Sequence, residues 1–328
     1  VDIFLQQLIN GITLGSVYAV VALGYTMVYG IIQLINFAHG EVVMIGAMVA
    51  LTVIGLLAPW GFPPMLVVLI GTLCAMLVCV ATAWSMEKLA YRPLRHAPRL
   101  APLITAIGVS IILQHLAMLV WSRNVLAFPQ IIHTVSYSVG GAQITNIQIA
   151  IVLLSVILMA SLSLLVYRTR LGTAMRATAQ NAHVAALMGV DVDRVVSMTF
   201  LIGAVLAAMA GVMVGSYYGV AQYTMGSMLG LKAFSAAVLG GIGHLPGAML
   251  GGLVLGVVEA LGAGYIGELT DLCHLQALSE RLAARCAADG HLVLFGSNYQ
   301  DVFAFVVLIM VLIVRPQGLL GERTGERA

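Results

Sequence analysis

Two histidines sit where otherwise apolar sequence is interrupted: His39 in Asn36-Phe37-Ala38-His39-Gly40-Glu41, and His244 in Gly240-Gly241-Ile242-Gly243-His244-Leu245-Pro246-Gly247. An imidazole can act as acid, base or metal ligand, but no Cys, His or carboxylate cluster at ligand spacing accompanies either one, so no metal is expected. Their setting suggests different chemistry. Paired Gly/Pro interruptions in two halves of a membrane protein point to a transport site, built from helix ends and irregular backbone. Such backbone must be buried in protein or line a wet cavity, because lipid cannot satisfy its N–H and C=O groups. Asn36, His39, Gly40, Glu41, Gly241, Gly243 and His244 are therefore the candidate pathway residues. The plainer reading stands beside it: tight interhelical turns near one membrane face. Aligning His39 on His244 also brings Met44 onto Met249 and Gly46 onto Gly251, a weak internal repeat.

The elements that carry these residues follow from composition. Of 328 residues, 61% are hydrophobic and 9% are charged. A soluble domain carries about a quarter charged residues, so water is not the main solvent of this chain. Stretches long enough to cross a bilayer, about 20 apolar residues each, recur along it. Continuous runs such as Ile147 to Leu154 lack the alternation of a membrane β-barrel. The expected fold is all-α integral membrane: one domain over 1–328, a bundle of about eight to ten transmembrane helices with two broken or re-entrant segments. The first apolar stretch has no basic leader and reads as a retained helix, not a cleaved signal.

Charge placement orients the bundle. Lys88, Arg92, Arg95 and Arg99 form one basic cluster, Arg168, Arg170, Arg176 and Arg194 a second, and Arg315, Arg323 and Arg327 a third. By the positive-inside rule all three are cytoplasmic, and the segments Ala58 to Pro63 and Ser122 to Thr145 face outward. With Leu229 to Gly243 as a full crossing, residues 265 to 300 fall outside.

The inside loop 168–194 is too polar for lipid and reads as a helix, with Ala174, Ala177, Asn181, Val184 and Met188 along one face. Its small groups suit close approach by a protein better than insertion among headgroups. Asp193 is placed to cap the following membrane helix. Glycine spacings such as Gly11/Gly15, Gly211/Gly215/Gly219, Gly247/Gly251 and Gly252/Gly256 predict close helix packing within the chain.

Several signatures are missing from the sequence. With only Lys88 and Lys232 as lysines, it has no G-x-x-x-x-G-K-[ST] phosphate loop, and it has no G-x-S-x-G or H-E-x-x-H. Glu41, Glu259 and Lys232 are the few charges within apolar sequence, where snorkelling or pairing accounts for them. Cys74 and Cys79 read as packing residues, while Cys273 and Cys286 fall where an outward location would permit a disulfide.

Longer strings then carry a resemblance. Asn10 to Ala19, Gly24-Tyr25-Thr26-Met27-Val28-Tyr29-Gly30, Ile35 to Glu41, Ala90-Tyr91-Arg92-Pro93-Leu94-Arg95, Gly172 to Arg194, Ala236 to Gly243 with Pro246-Gly247-Ala248, and Arg315 to Gly321 resemble the LivH-type permeases of bacterial high-affinity branched-chain amino-acid ABC importers. The resemblance implies a multi-pass protein of the bacterial inner membrane that passes branched-chain or related small amino acids. It implies a second related permease, two cytoplasmic ATPase subunits that use the ATP, and a periplasmic substrate-binding protein. Besides these and membrane lipid it calls for no nucleic acid and no cofactor of its own. Gly172, Arg176, Ala177, Asn181, Ala185, Gly189 and Arg194 become the candidate ATPase-coupling residues. The polar connection 267–300 departs from the pattern and reads as periplasmic. Within the superfamily, urea or short amides are alternative cargoes. An ion-coupled secondary transporter and a passive channel are the readings from other classes.

Overall fold

The computed structural model describes residues 2–95, 97–98, 100–269 and 299–321, with the side chains of 266–269 left aside. Apolar runs become helices because only a helix satisfies every backbone group within its own segment in lipid. They are α1 (Asp2–Ile32), α2 (His39–Leu57), α3 (Pro64–Met86), α4 (Leu100–Val120), α5 (Asn146–Arg168), α6 (Arg170–Gln180), α7 (Ala182–Leu187), α8 (Val192–Tyr218), α9 (Met225–Gly240), α10 (Leu245–Leu269) and α11 (Gln300–Val314). Seven are long and apolar enough to cross a membrane, and α9 and α11 are shorter apolar helices. The nine membrane-embedded helices among the described residues fall within the expected range.

Two pieces of sheet join the outer connections, which the sequence did not announce. β1 (Leu126–Ala127) pairs antiparallel with β4 (Val220–Ala221), and β2 (Ser136–Val139) pairs with β3 (Ala142–Thr145). Gln6 locks the start of α1 onto this side by a two-way bond with the Gln143 backbone, at 3.0 and 2.8 Å. The N-terminus of α1 therefore lies with the Arg-poor connections, at the end that the positive-inside rule makes the outer one. At the other face, Tyr91 reaches the 33–38 turn, Arg92 and Arg95 reach Asp193, and Leu319 and Leu320 donate to the carbonyls of Leu239 and Gly240. These bonds gather the basic segments on one side, as the arginine distribution requires.

α9 has 16 residues. At 1.5 Å per residue it spans about 24 Å, short of the roughly 30 Å hydrocarbon core. The helix expected over Leu229–Gly243 has about the expected length but lies earlier in the chain, over Met225–Gly240, and the extended residues paired with β1 precede it.

α1 is the central column. Its residues Val17 to Leu23 are wholly buried, and it packs on α5, α8, α9 and α10. Contact with α10 is close because glycines face each other: a Cβ at Gly15 would lie 2.8 Å from Leu253 Cα, and one at Gly11 2.6 Å from Val257 Cα. This is the packing within the chain that the glycine spacing predicted. Cys79 is buried, its thiol 3.3 Å from the Val42 carbonyl of α2. α3, α4 and α5 turn Leu73, Leu77, Ile104, Ile111, Leu153 and Ile157 outward, the faces that acyl chains solvate. Most of the connection 267–300, with Cys273 and Cys286, lies outside the described residues. The ends of α10 and α11 that flank it meet at the outer face, where Gly262 packs on Phe303.

Candidate functional site

The first interruption is a turn held from its side. Asn36 Oδ1 accepts from Ala38 N at 3.1 Å and from the Tyr91 hydroxyl, at the inner end of α3, at 2.6 Å. His39 opens α2 and is buried between Gly24 of α1 and Gly203 of α8, with its ring edge-on to Tyr25 at 4.8 Å between centroids. The two glycines leave room for the imidazole. Gly40 lies against the backbone of Gly226 and Gly230, so α2 and α9 touch without side chains between them. Glu41 is fully buried: Oε1 accepts from Ser110 at 3.2 Å, and Oε2, beside Gly226, has no hydrogen-bond partner among the described residues. Neither account expected for Glu41 occurs among the described residues: its carboxylate is walled in by α4 and α9, which prevents snorkelling, and its one side-chain partner is the neutral Ser110 rather than a cation.

The second interruption is a turn of backbone. Gly241 and Gly243 have φ of 104° and 91°, values that favour glycine. Gly240 packs on Gly247, and Gly318 and Gly321 of the C-terminal segment press on Gly241. His244 Nδ1 accepts from Gly247 N at 3.2 Å and so caps α10. The two histidines therefore play different parts, one filling a gap between helices and the other ending a turn. The interruptions themselves meet at the inner face: Gly30 lies over Gly243, Ile35 and Ile242 line one small cavity, and Phe37 packs on Phe234 at 5.9 Å.

The 168–194 loop, expected as one helix, is two. Thr169 caps α6 and Asn181 caps α7, its Oδ1 accepting from Val184 N at 3.0 Å. Asn competes for the backbone in this way, which breaks the helix at Asn181 and divides the expected stripe. In α6 the buried face is Gly172, Met175 and Thr178; Arg176 is exposed over the Tyr167 ring, and Ala177 is half-buried. Ala185 is buried, whereas Val184, Leu187 and Met188 are exposed. Gly189, at φ 86°, ends the pair of helices. Asp191, not Asp193, caps α8, accepting from Arg194 N at 3.0 Å. Asp193 instead takes Arg92 at 2.8 Å together with Arg95, and Arg95 also holds the buried Glu87. Met175, Arg176 and Ala179 of α6 line a cavity of about 80 Å³ with Gly30, Gly243 and Leu245. The loop and the second interruption thus share a wall.

Lys232 and Glu259 do pair, at 2.7 Å, as the pairing account required. Asp301 of α11 and the Tyr18 hydroxyl join them, and the sequence singled out neither. No spacing could have found this group, since its members come from four helices.

The fold is that of a multi-pass α-helical membrane transport subunit, and the comparisons with known proteins make the class more specific. A family model described as branched-chain amino acid transport system / permease component matches residues 7–312. The chain is 43% identical to the high-affinity branched-chain amino acid transport system permease protein LivH of Salmonella typhimurium, over 99% of this chain and 97% of the relative. It is 44% identical to the permease protein BraD of Pseudomonas aeruginosa, over 99% and 98% of the two chains. A probable branched-chain amino acid transport permease protein LivH of Methanocaldococcus jannaschii is 25% identical over 98% and 94%. No solved structure gives a significant match. The chain belongs to the family of branched-chain amino acid transport system permease components.

Proposed function

We propose that this protein is the permease subunit of an ABC importer that moves branched-chain amino acids inward across the cytoplasmic membrane. Near-full-length identity of 43–44% to high-affinity branched-chain amino acid permeases carries the reading. In it the protein holds no cofactor, and ATP is bound and hydrolysed by two cytoplasmic partners. A second permease completes the passage, and a periplasmic binding protein meets the outer connections.

The inner loop supports this division of labour. α6 is anchored by Gly172, Met175 and Thr178, while Val184 and Leu187 of α7 and Met188 just after it are exposed to the cytoplasm. An apolar, exposed, well-capped helix suits a protein partner. α7 packs on α6, which lines one cavity with Gly243, so a push on α7 is transmitted through α6 and ATP binding biases the access state by differential contacts.

The test is uptake by proteoliposomes holding the protein with ATPases and a second permease encoded beside it, with the leucine-loaded binding protein outside. Uptake should require ATP within and persist when ion gradients are collapsed. Uptake that follows an ion gradient without ATP would assign the chain to secondary transport.

A further inference from the structure

We propose that the cluster of Lys232, Glu259, Asp301 and Tyr18, with the cavity beside it, is the station where the charged backbone of a zwitterionic amino acid is held in transit. This rests on the importer reading and gives it a site. Lys232 lies near the middle of α9, its Nζ 2.7 Å from both Glu259 and Asp301 and 3.5 Å from the Tyr18 hydroxyl. Glu259 is 1% exposed, Lys232 14% and Asp301 40%. Charges within membrane helices face the bundle interior or a water-filled cavity, and two members of this cluster, Lys232 and Tyr18, also line a cavity.

The cavity has the size and the chemistry for a small zwitterion. Its volume is about 320 Å³, at the lower end of small-molecule sites. Lys232, Tyr18 and Gln222 give it a polar side, and Met228, Leu229 and Val220 an apolar side suited to a branched aliphatic group.

Charge arithmetic supplies the mechanism. Two carboxylates share one ammonium, so one carboxylate is in excess. Glu259 is the fixed partner, buried and joined to Lys232 by an aligned hydrogen bond. Asp301 is half-exposed, and its contact with Lys232 is an ion pair without that alignment. An arriving cargo carboxylate replaces Asp301 at Lys232, and Asp301 takes the cargo ammonium. Every buried charge keeps a partner throughout, which is the condition for moving charge through a poorly solvated site. Urea and neutral amides have no charges to exchange and gain nothing here.

The experiment uses the assembled transporter in proteoliposomes with leucine as the probe. Asp301→Asn keeps the Lys232–Glu259 pair. It should lower the maximal rate of ATP-driven leucine uptake at least about tenfold, with the half-saturating concentration of leucine-loaded binding protein unchanged. Asp301→Glu should restore most of the rate. Independently, Met228→Cys in a background without native cysteines should react with small aqueous thiol reagents, and more slowly when leucine is being delivered. A wild-type rate for Asp301→Asn, or an inert thiol at 228, would overturn the proposed station. Failure of the wild-type assembly to take up leucine with ATP would remove the importer reading itself.

Discussion

Tyr91 donates to Asn36 across 55 residues of chain, at 2.6 Å, and this bond ties the first interruption to the inner end of α3. The same stretch then passes through Arg95 to Glu87 and Asp193, so α2, α3 and α8 converge at one corner of the inner face. Arg176 of α6 and Gly243 of the second interruption line one further cavity.

Tyr91→Phe should lower the unfolding temperature of the purified protein by removing one buried hydrogen bond, about 0.5–1.5 kcal/mol, because Asn36 Oδ1 keeps its bond from Ala38 N. Asn36→Leu should lower it further, because it also removes the bond to Ala38 N. Equal midpoints for wild type and both variants, measured by intrinsic fluorescence in detergent, would show that the turn holds itself.

Gly24→Ala places a methyl on the His39 imidazole. Overpacking of this kind costs typically 1–3 kcal/mol. His39→Ala creates a gap at the same place, so the double variant should be more stable than the sum of the two losses predicts, with a coupling of about 0.5–3 kcal/mol. Additive losses would mean that the two residues do not touch.

Met188→Glu and Ala185→Glu should behave differently although they lie three residues apart. Met188 is 81% exposed, so its substitution leaves folding intact and reduces ATP-driven uptake by keeping the ATPase away. Ala185 is 4% exposed, and a carboxylate there must be buried or break α7. The expected readouts are normal membrane yield with lost coupling for the first, and reduced yield for the second. Ala177→Glu, at a half-buried position, should also cut coupled uptake. Wild-type transport by Met188→Glu and Ala177→Glu together would move the point of energy input elsewhere.

Single cysteines test the inner face. In the resting state a thiol at His244, half-buried at the turn, should react with aqueous reagent from the cytoplasmic side, while one at His39, buried among α1, α2 and α8, should not. Nucleotide should change the rate at His244 if the interruption moves during the cycle. A reporter after Arg176 should read cytoplasmic and one near Gly140 periplasmic, because basic residues set orientation. An external signal at Arg176 would reverse every sidedness assignment.

The sequence by itself determined the solvent and the class of fold, because each rests on local quantities, apolar length and absence of alternation, while the positions of arginines carry the expectation for the sidedness of the loops. It located the two interruptions and predicted the close glycine packing, which later took a definite form in α1 against α10. Only the tertiary structure placed the N-terminus with the arginine-poor connections, through Gln6 and Gln143, since no Lys or Arg near Val1 marks it. Only it broke the loop at Asn181, gave the α8 cap to Asp191 and freed Asp193 for the arginines, choices between neighbouring residues that local propensity leaves nearly equal. And only it assembled Tyr18, Lys232, Glu259 and Asp301, because a cluster drawn from four helices has no period along the chain. Its members become neighbours only when the helices pack.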